Sequence, residues 1–150
     1  MKNIITLLLL TLSSFAFCQT TVDTTGWRTQ LDTSCFVITN DVKKIVNWVM
    51  VKFPEWEKML NPEKKFNENN KGQNSAKRRL FFAAHNGDNW IVSYEHSESS
   101  YHTHCFFILV NEKHEIHTLD CHKEFRTFNE LRNYALMEAI LFEKWDGIDY

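Results

Sequence analysis

At 150 residues the chain is long enough for one domain with a core and too short for two. With 17 Lys and Arg against 19 Asp and Glu its formal charge is −2, and no basic run exceeds three residues. That excludes a nucleic-acid grip through phosphates, while a hydrophobic share of 43% excludes a wholly disordered chain.

Lys2, the apolar run from Ile4 to Phe17 and then Cys18-Gln19 have the three-part layout of a secretory signal peptide, with Ala16 at −3 if cleavage follows Cys18. The run falls short of the ~20 apolar residues a membrane span needs. The expectation is a leader over residues 1–18, a single α+β domain over 19–150, and an exported, periplasmic or extracellular protein. No membrane span is expected in the mature chain. Loss of the leader takes one cation, Lys2, so 16 face 19 acidic groups.

Three cysteines then remain, Cys35, Cys105 and Cys121, in an oxidising compartment. Cys35 and Cys121 fall at the ends of predicted elements, where Cβ vectors meet more easily than from mid-strand, and a disulfide between them is predicted. A bridge between Cys105 and Cys121 across neighbouring strands is the second choice. Cys105, inside Cys-Phe-Phe-Ile-Leu-Val, otherwise reads as a small buried hydrophobe.

Residues 20–34 are Thr-rich and polar and read as a loose lead, followed by a short strand over 34–39. Asn40 or Asp41 caps a predicted helix over 41–60, where Val42, Ile45, Val46, Val49, Phe53, Trp56 and Leu60 recur on one stripe. Pro54 should kink or end its first segment near Phe53. The Asn-rich stretch that follows has no periodicity and reads as an exposed loop. Lys77-Arg78-Arg79 reads as a solvated entrance to the next strand.

Residues 80–121 form the centre of the prediction. RLFFAAH, NWIVSYEH, YHTHCFFILV and EIHTL are rich in aromatic and β-branched residues and are separated by short polar turns, the pattern of an antiparallel meander. With Asn86 to Asn89 closing the first turn, Phe81, Ala83 and His85 share a face with Trp90, Val92, Tyr94 and His96. The next turn is ambiguous. A four-residue connection sends His102 and His104 away from His96, whereas a five-residue connection brings the three together.

Thr127-Phe128-Asn129-Glu130 matches a capping box, and a second helix is predicted over 128–145 with Leu131, Tyr134, Ala135, Leu141, Phe142 and Trp145 on one side. The predicted fold is therefore α+β: an antiparallel β-meander of three to five strands with two amphipathic helices packed on one face.

All seven histidines lie between His85 and His122. His102-Thr103-His104 places two imidazoles on one side of a strand, with His96 as third ligand for zinc or copper in one of the two registers. A lone His-x-His is nevertheless more often a hydrogen-bonded or surface pair than a metal site. Glu138 projects from the middle of an apolar stripe, where a carboxylate needs a partner or a proton. Tyr94, His96, His102, His104 and Glu138 are the candidate binding residues. Cys105 beside His104 suggests a nucleophile, but adjacent strand residues face opposite sides, and no catalytic residue is assigned. The leading reading is a small exported, non-catalytic domain, with no cofactor, binding an unknown protein or small ligand through one sheet face. The alternative is a His-based metal-binding protein or metal-dependent hydrolase.

Overall fold

The structure, a computed structural model, describes residues 28–29, 32–53, 56–66, 78–97, 101–110, 114, 116–121, 123–137 and 140–144. The predicted leader and most of the Asn-rich stretch lie outside them. In chain order the elements are β1 (Arg28–Thr29), β2 (Val37–Thr39), a 3₁₀ turn (Val42–Lys44), α1 (Asn47–Met50), a second 3₁₀ turn (Trp56–Lys58) and β3 (Met59–Leu60). They continue with β4 (Arg78–Asn86), β5 (Asn89–Ser97), β6 (Tyr101–Val110), β7 (Ile116–Cys121), α2 (Phe128–Met137) and β8 (Ile140–Lys144). The strands lie in the order β1-β8-β7-β6-β5-β4-β2, all antiparallel, with the two-residue β3 parallel beside β4. Among the described residues the architecture is mostly β, with one helix longer than four residues.

The meander follows from its turns. Asn86 pairs with Asn89, and Gly87 holds φ +58, a left-handed value that glycine adopts without a Cβ clash. Between β5 and β6, Ser97 pairs with Tyr101 and His96 with His102, the register with five residues between the two histidines. In β4 the pairing steps from Leu80↔Tyr94 to Phe82↔Ser93, so Phe81 is an extra, bulged residue. Phe81 and Phe82 consequently both pack on the same apolar cluster, and the simple alternation expected for this strand fails at that point.

Each sheet face carries its own core. One joins Phe36, Phe82, Ile91, Cys105 and Phe107 to Phe128, Leu131 and Ala135 of α2. The other joins Leu80, Trp90, Val92, Tyr94, Phe106 and Ile108 to Ile45, Val49, Met50 and Phe53. A Leu or Phe side chain taken wholly out of water contributes about 1.5–3 kcal/mol, so both covers are needed. The two helical segments thus sit on opposite faces, not together on one, because β5 and β6 are apolar at odd and even positions alike and neither face suits water.

The first predicted helix is also divided. Asp41 accepts from the Lys43 amide at 3.1 Å as a cap, but Ile45 and Val46 are extended (ψ 128 and 143), separating the 3₁₀ turn from α1. Val42, Ile45, Val46, Val49 and Val51 crowd at χ1 in a helix, and a residue before proline avoids the helical region, as Phe53 must before Pro54. Ile45, Val49 and Phe53 of the apolar stripe are buried even so, Val42, Trp56 and Leu60 are half-buried, and Val46 is exposed. The second helix begins as predicted: the Glu130 amide donates to Thr127 Oγ1 at 3.2 Å and the Thr127 amide to Glu130 Oε2 at 3.3 Å. It ends at Met137, and residues 140–144 pair with β7 as β8 instead of continuing to 145. Their helical period is genuine, but the free edge of β7 offers backbone partners that outweigh a weak propensity.

Leu131 is buried under α2 whereas Leu136 is 77% exposed on the same helix. Leu131→Ala is expected to lower the unfolding free energy by about 3 kcal/mol and Leu136→Ala by less than about 0.5 kcal/mol, measured by urea denaturation.

Candidate functional site

The face that carries Tyr94 and Phe106 is apolar along most of its length and turns polar at one end. Tyr94 opposes His104, and His96 opposes both His102 on β6 and Arg78 on β4. Alternation then aims all three imidazoles to one side, as the five-residue register requires. His96 Nε2 lies 3.0 Å from His104 Nε2, with ring centroids 5.0 Å apart. The His102 ring stands 5.3 Å from that of His96.

Asp120, on the neighbouring strand β7, reaches the same group. Its Oδ2 lies 3.4 Å from His104 Nδ1. The Nδ1 edge of His104 thus faces the carboxylate and its Nε2 edge faces His96. Tyr94 backs the pair: its ring is 5.5 Å from that of His104 and 5.4 Å from that of Phe53. Arg78 Nη1 donates to the Tyr94 hydroxyl at 3.5 Å, and its guanidinium stands 5.5 Å from the ring centroid. His96 and Arg78 are 2% and 1% exposed, while His102, His104 and Asp120 are open in part. The cluster therefore has a buried floor and a wetted rim.

Arg78 corrects the solvated reading of the basic run, for it is among the largest fully buried side chains. Arg79 corrects it too, on the opposite face, where it pairs with the buried carboxylate of Glu95. Tyr101 donates to Glu95 Oε2 at 2.7 Å, and Arg126 donates to the Tyr101 hydroxyl at 3.3 Å. Asp120 and Arg78 were not among the predicted site residues. The signal for Asp120 was its place one residue before the end of a strand that must lie beside β6; Arg78 required knowledge of the bulge.

Of the predicted candidates, Tyr94, His96, His102 and His104 lie together, and Glu138 lies outside the described residues. Among the other histidines, His85 stacks on Trp90 at 4.7 Å and His114 is exposed at φ 59. Among the described residues, no three His, Cys, Asp or Glu side chains are arranged, as they stand, to hold a metal ion. An open groove of about 710 Å³ lies elsewhere, lined by Ile45, Met50, Trp56 and Met59 with Lys43, Lys44 and Lys64, and no imidazole borders it.

The predicted disulfide is not formed. Cys35, Cys105 and Cys121 are all free thiols, because Phe36 is the residue that turns into the core, against Phe107 and Phe128, and so leaves Cys35 exposed beside Ser34. Cys105 packs on the α2 face, away from His104. Burial pushes its thiol well above the usual range, with further elevation from Cys121 and Asp120, the reverse of what an activated nucleophile needs. Burial likewise pushes the Cys121 thiol up to about 11.

The sequence matches no protein-family model, and no curated protein or solved structure matches it either.

Two outcomes are expected. Arg79→Ala leaves the Glu95 carboxylate without its cation and should cost about 3 kcal/mol by chemical denaturation, whereas Lys58→Ala, at an exposed position, should cost less than about 0.5 kcal/mol. The raised thiols bind protons in the folded state that the unfolded chain releases above its value of 9.0. Their contribution is whole below that pH; that of Cys121 is lost as pH rises from about 9 to about 11, and that of Cys105 falls from about 9 upward. The melting temperature should fall across that window, and less steeply in Cys105→Ala/Cys121→Ala.

Proposed function

We propose that the chain is a small exported, non-catalytic binding domain that takes its ligand at the histidine end of the sheet face. One observation carries this reading: His96, His102 and His104 converge beside Tyr94 and Asp120, at the end of a face whose remainder is covered by α1 and its flanking turns. A covered core has no use for three imidazoles. Imidazoles at a partly open rim, on a floor of buried Tyr94 and Arg78, supply both donors and acceptors to an incoming group. The formal charge of −2 favours a protein or small ligand over nucleic acid.

Export rests on the signal-peptide layout of residues 1–18, and among the described residues no helix is long and apolar enough to cross a membrane. A second reading, a metal-binding protein or metal-dependent hydrolase, is favoured by the approach of two imidazole nitrogens to 3.0 Å.

Native mass spectrometry of the protein recovered from a periplasmic extract tests the binding role. The intact mass should correspond to a chain beginning at Gln19, with a bound partner, organic ligand or metal as excess mass. His102→Ala/His104→Ala should lose that excess at least tenfold while keeping its circular dichroism spectrum. Equal ligand on both proteins, or none on the wild type, would reject the histidine end as the binding position.

A further inference from the structure

We propose that the His96–His104 pair is a site for a late first-row divalent transition-metal ion, copper or zinc, with His102 as third ligand and Asp120 as outer-sphere acceptor. The inference rests on the reading above, that the histidine end is where this protein binds, and specifies what it binds.

Four observations converge on it. The two Nε2 atoms are 3.0 Å apart, and two nitrogens on one tetrahedral zinc stand about 3.3 Å apart, as bond lengths of 2.0–2.1 Å require. The pair therefore has to open only slightly to admit an ion between the two nitrogens. Asp120 sits on the far nitrogen of His104, the arrangement in which a carboxylate holds the ring orientation and leaves Nε2 available to the ion. The inward groups are imidazoles and not a ring of carboxylates or carbonyls, which disfavours calcium and magnesium and suits copper and zinc. His102 is two residues from His104 on the same strand face, its ring 5.3 Å from that of His96 and its side chain partly open to solvent.

As they stand the three are not a finished coordination set. Rotation of the partly exposed His102 toward the buried pair completes it, so the two inner nitrogens are held by the sheet while the third arrives with the ion. Arg78 lies opposite His96 in the sheet and would oppose a cation, but its Nη1 is directed to the Tyr94 hydroxyl and Asp120 supplies a negative charge on the other side.

The test is calorimetric titration of the metal-stripped exported protein with Cu²⁺ and, separately, Zn²⁺, joined to electron paramagnetic resonance of the copper form. One ion per chain is expected, with nitrogen hyperfine structure from at least two imidazoles. His102→Ala should weaken binding at least tenfold, Asp120→Asn by about 10- to 100-fold, and His114→Gln not at all. Retained circular dichroism and melting in the partly exposed His102→Ala separates a lost ligand from a lost fold. Absence of stoichiometric uptake, or uptake indifferent to His102 and Asp120, overturns the inference. If the ion is not taken up while a periplasmic ligand is still lost from His102→Ala/His104→Ala, the metal assignment falls and the binding reading stands; if neither is bound, both fall.

Discussion

The pairing of β5 with β6 is the constraint on which the rest of the molecule depends. With His96 opposite His102, every even residue of both strands faces α1 and every odd residue faces α2. A slip of one residue between them would exchange the faces of one strand relative to the other. With β5 held in place, Phe107 would leave α2 while Ile91 stayed, and the imidazoles of β6 would part from His96. The two apolar cores and the imidazole cluster are therefore consequences of one register, and the cluster is held in place by the burial of apolar side chains that have no part in its chemistry.

That dependence explains how much was legible beforehand. Strands at 80–121 announced themselves through aromatic and β-branched runs, and the Asn-Gly-Asp turn fixed the first hairpin. The capping box at Thr127 and Glu130 marked the start of α2. The second hairpin was legible only as two alternatives, because Ser-Glu-Ser-Ser carries no turn residue that dictates length. Tertiary context decided what composition did not: residues 140–144 keep a helical period yet pair with β7, and residues 41–60 keep a helical stripe yet form three short turns around it. In residues 41–60 the burial of Ile45, Val49 and Phe53 was preserved while the backbone that presents them changed.

The site divides in the same way. Tyr94, His96, His102 and His104 were visible as residue types at strand spacing, and adjacency on the sheet does the rest. Asp120 and Arg78 come from strands on either side of the β5–β6 hairpin, so no local spacing connects them to the histidines. The Cys35–Cys121 bridge failed for a related reason: proximity to element ends says nothing of which of two neighbours, Cys35 or Phe36, turns inward, and the larger apolar surface of Phe36 wins that competition.

The bulged Phe81 has an electrostatic consequence. Were β4 to run on without the extra residue, Leu80 would stand across from Glu95 and Arg79 across from His96. An aliphatic chain would then face a carboxylate withdrawn from water, and the wrong guanidinium would border the imidazoles. One surplus phenylalanine thus deals the two arginines to their separate sides, sending Arg79 to neutralise an acid and Arg78 to cradle a phenol. Charge placement here is decided by counting residues in a strand, and a change there that touches no ionisable group would still redistribute charge through the interior.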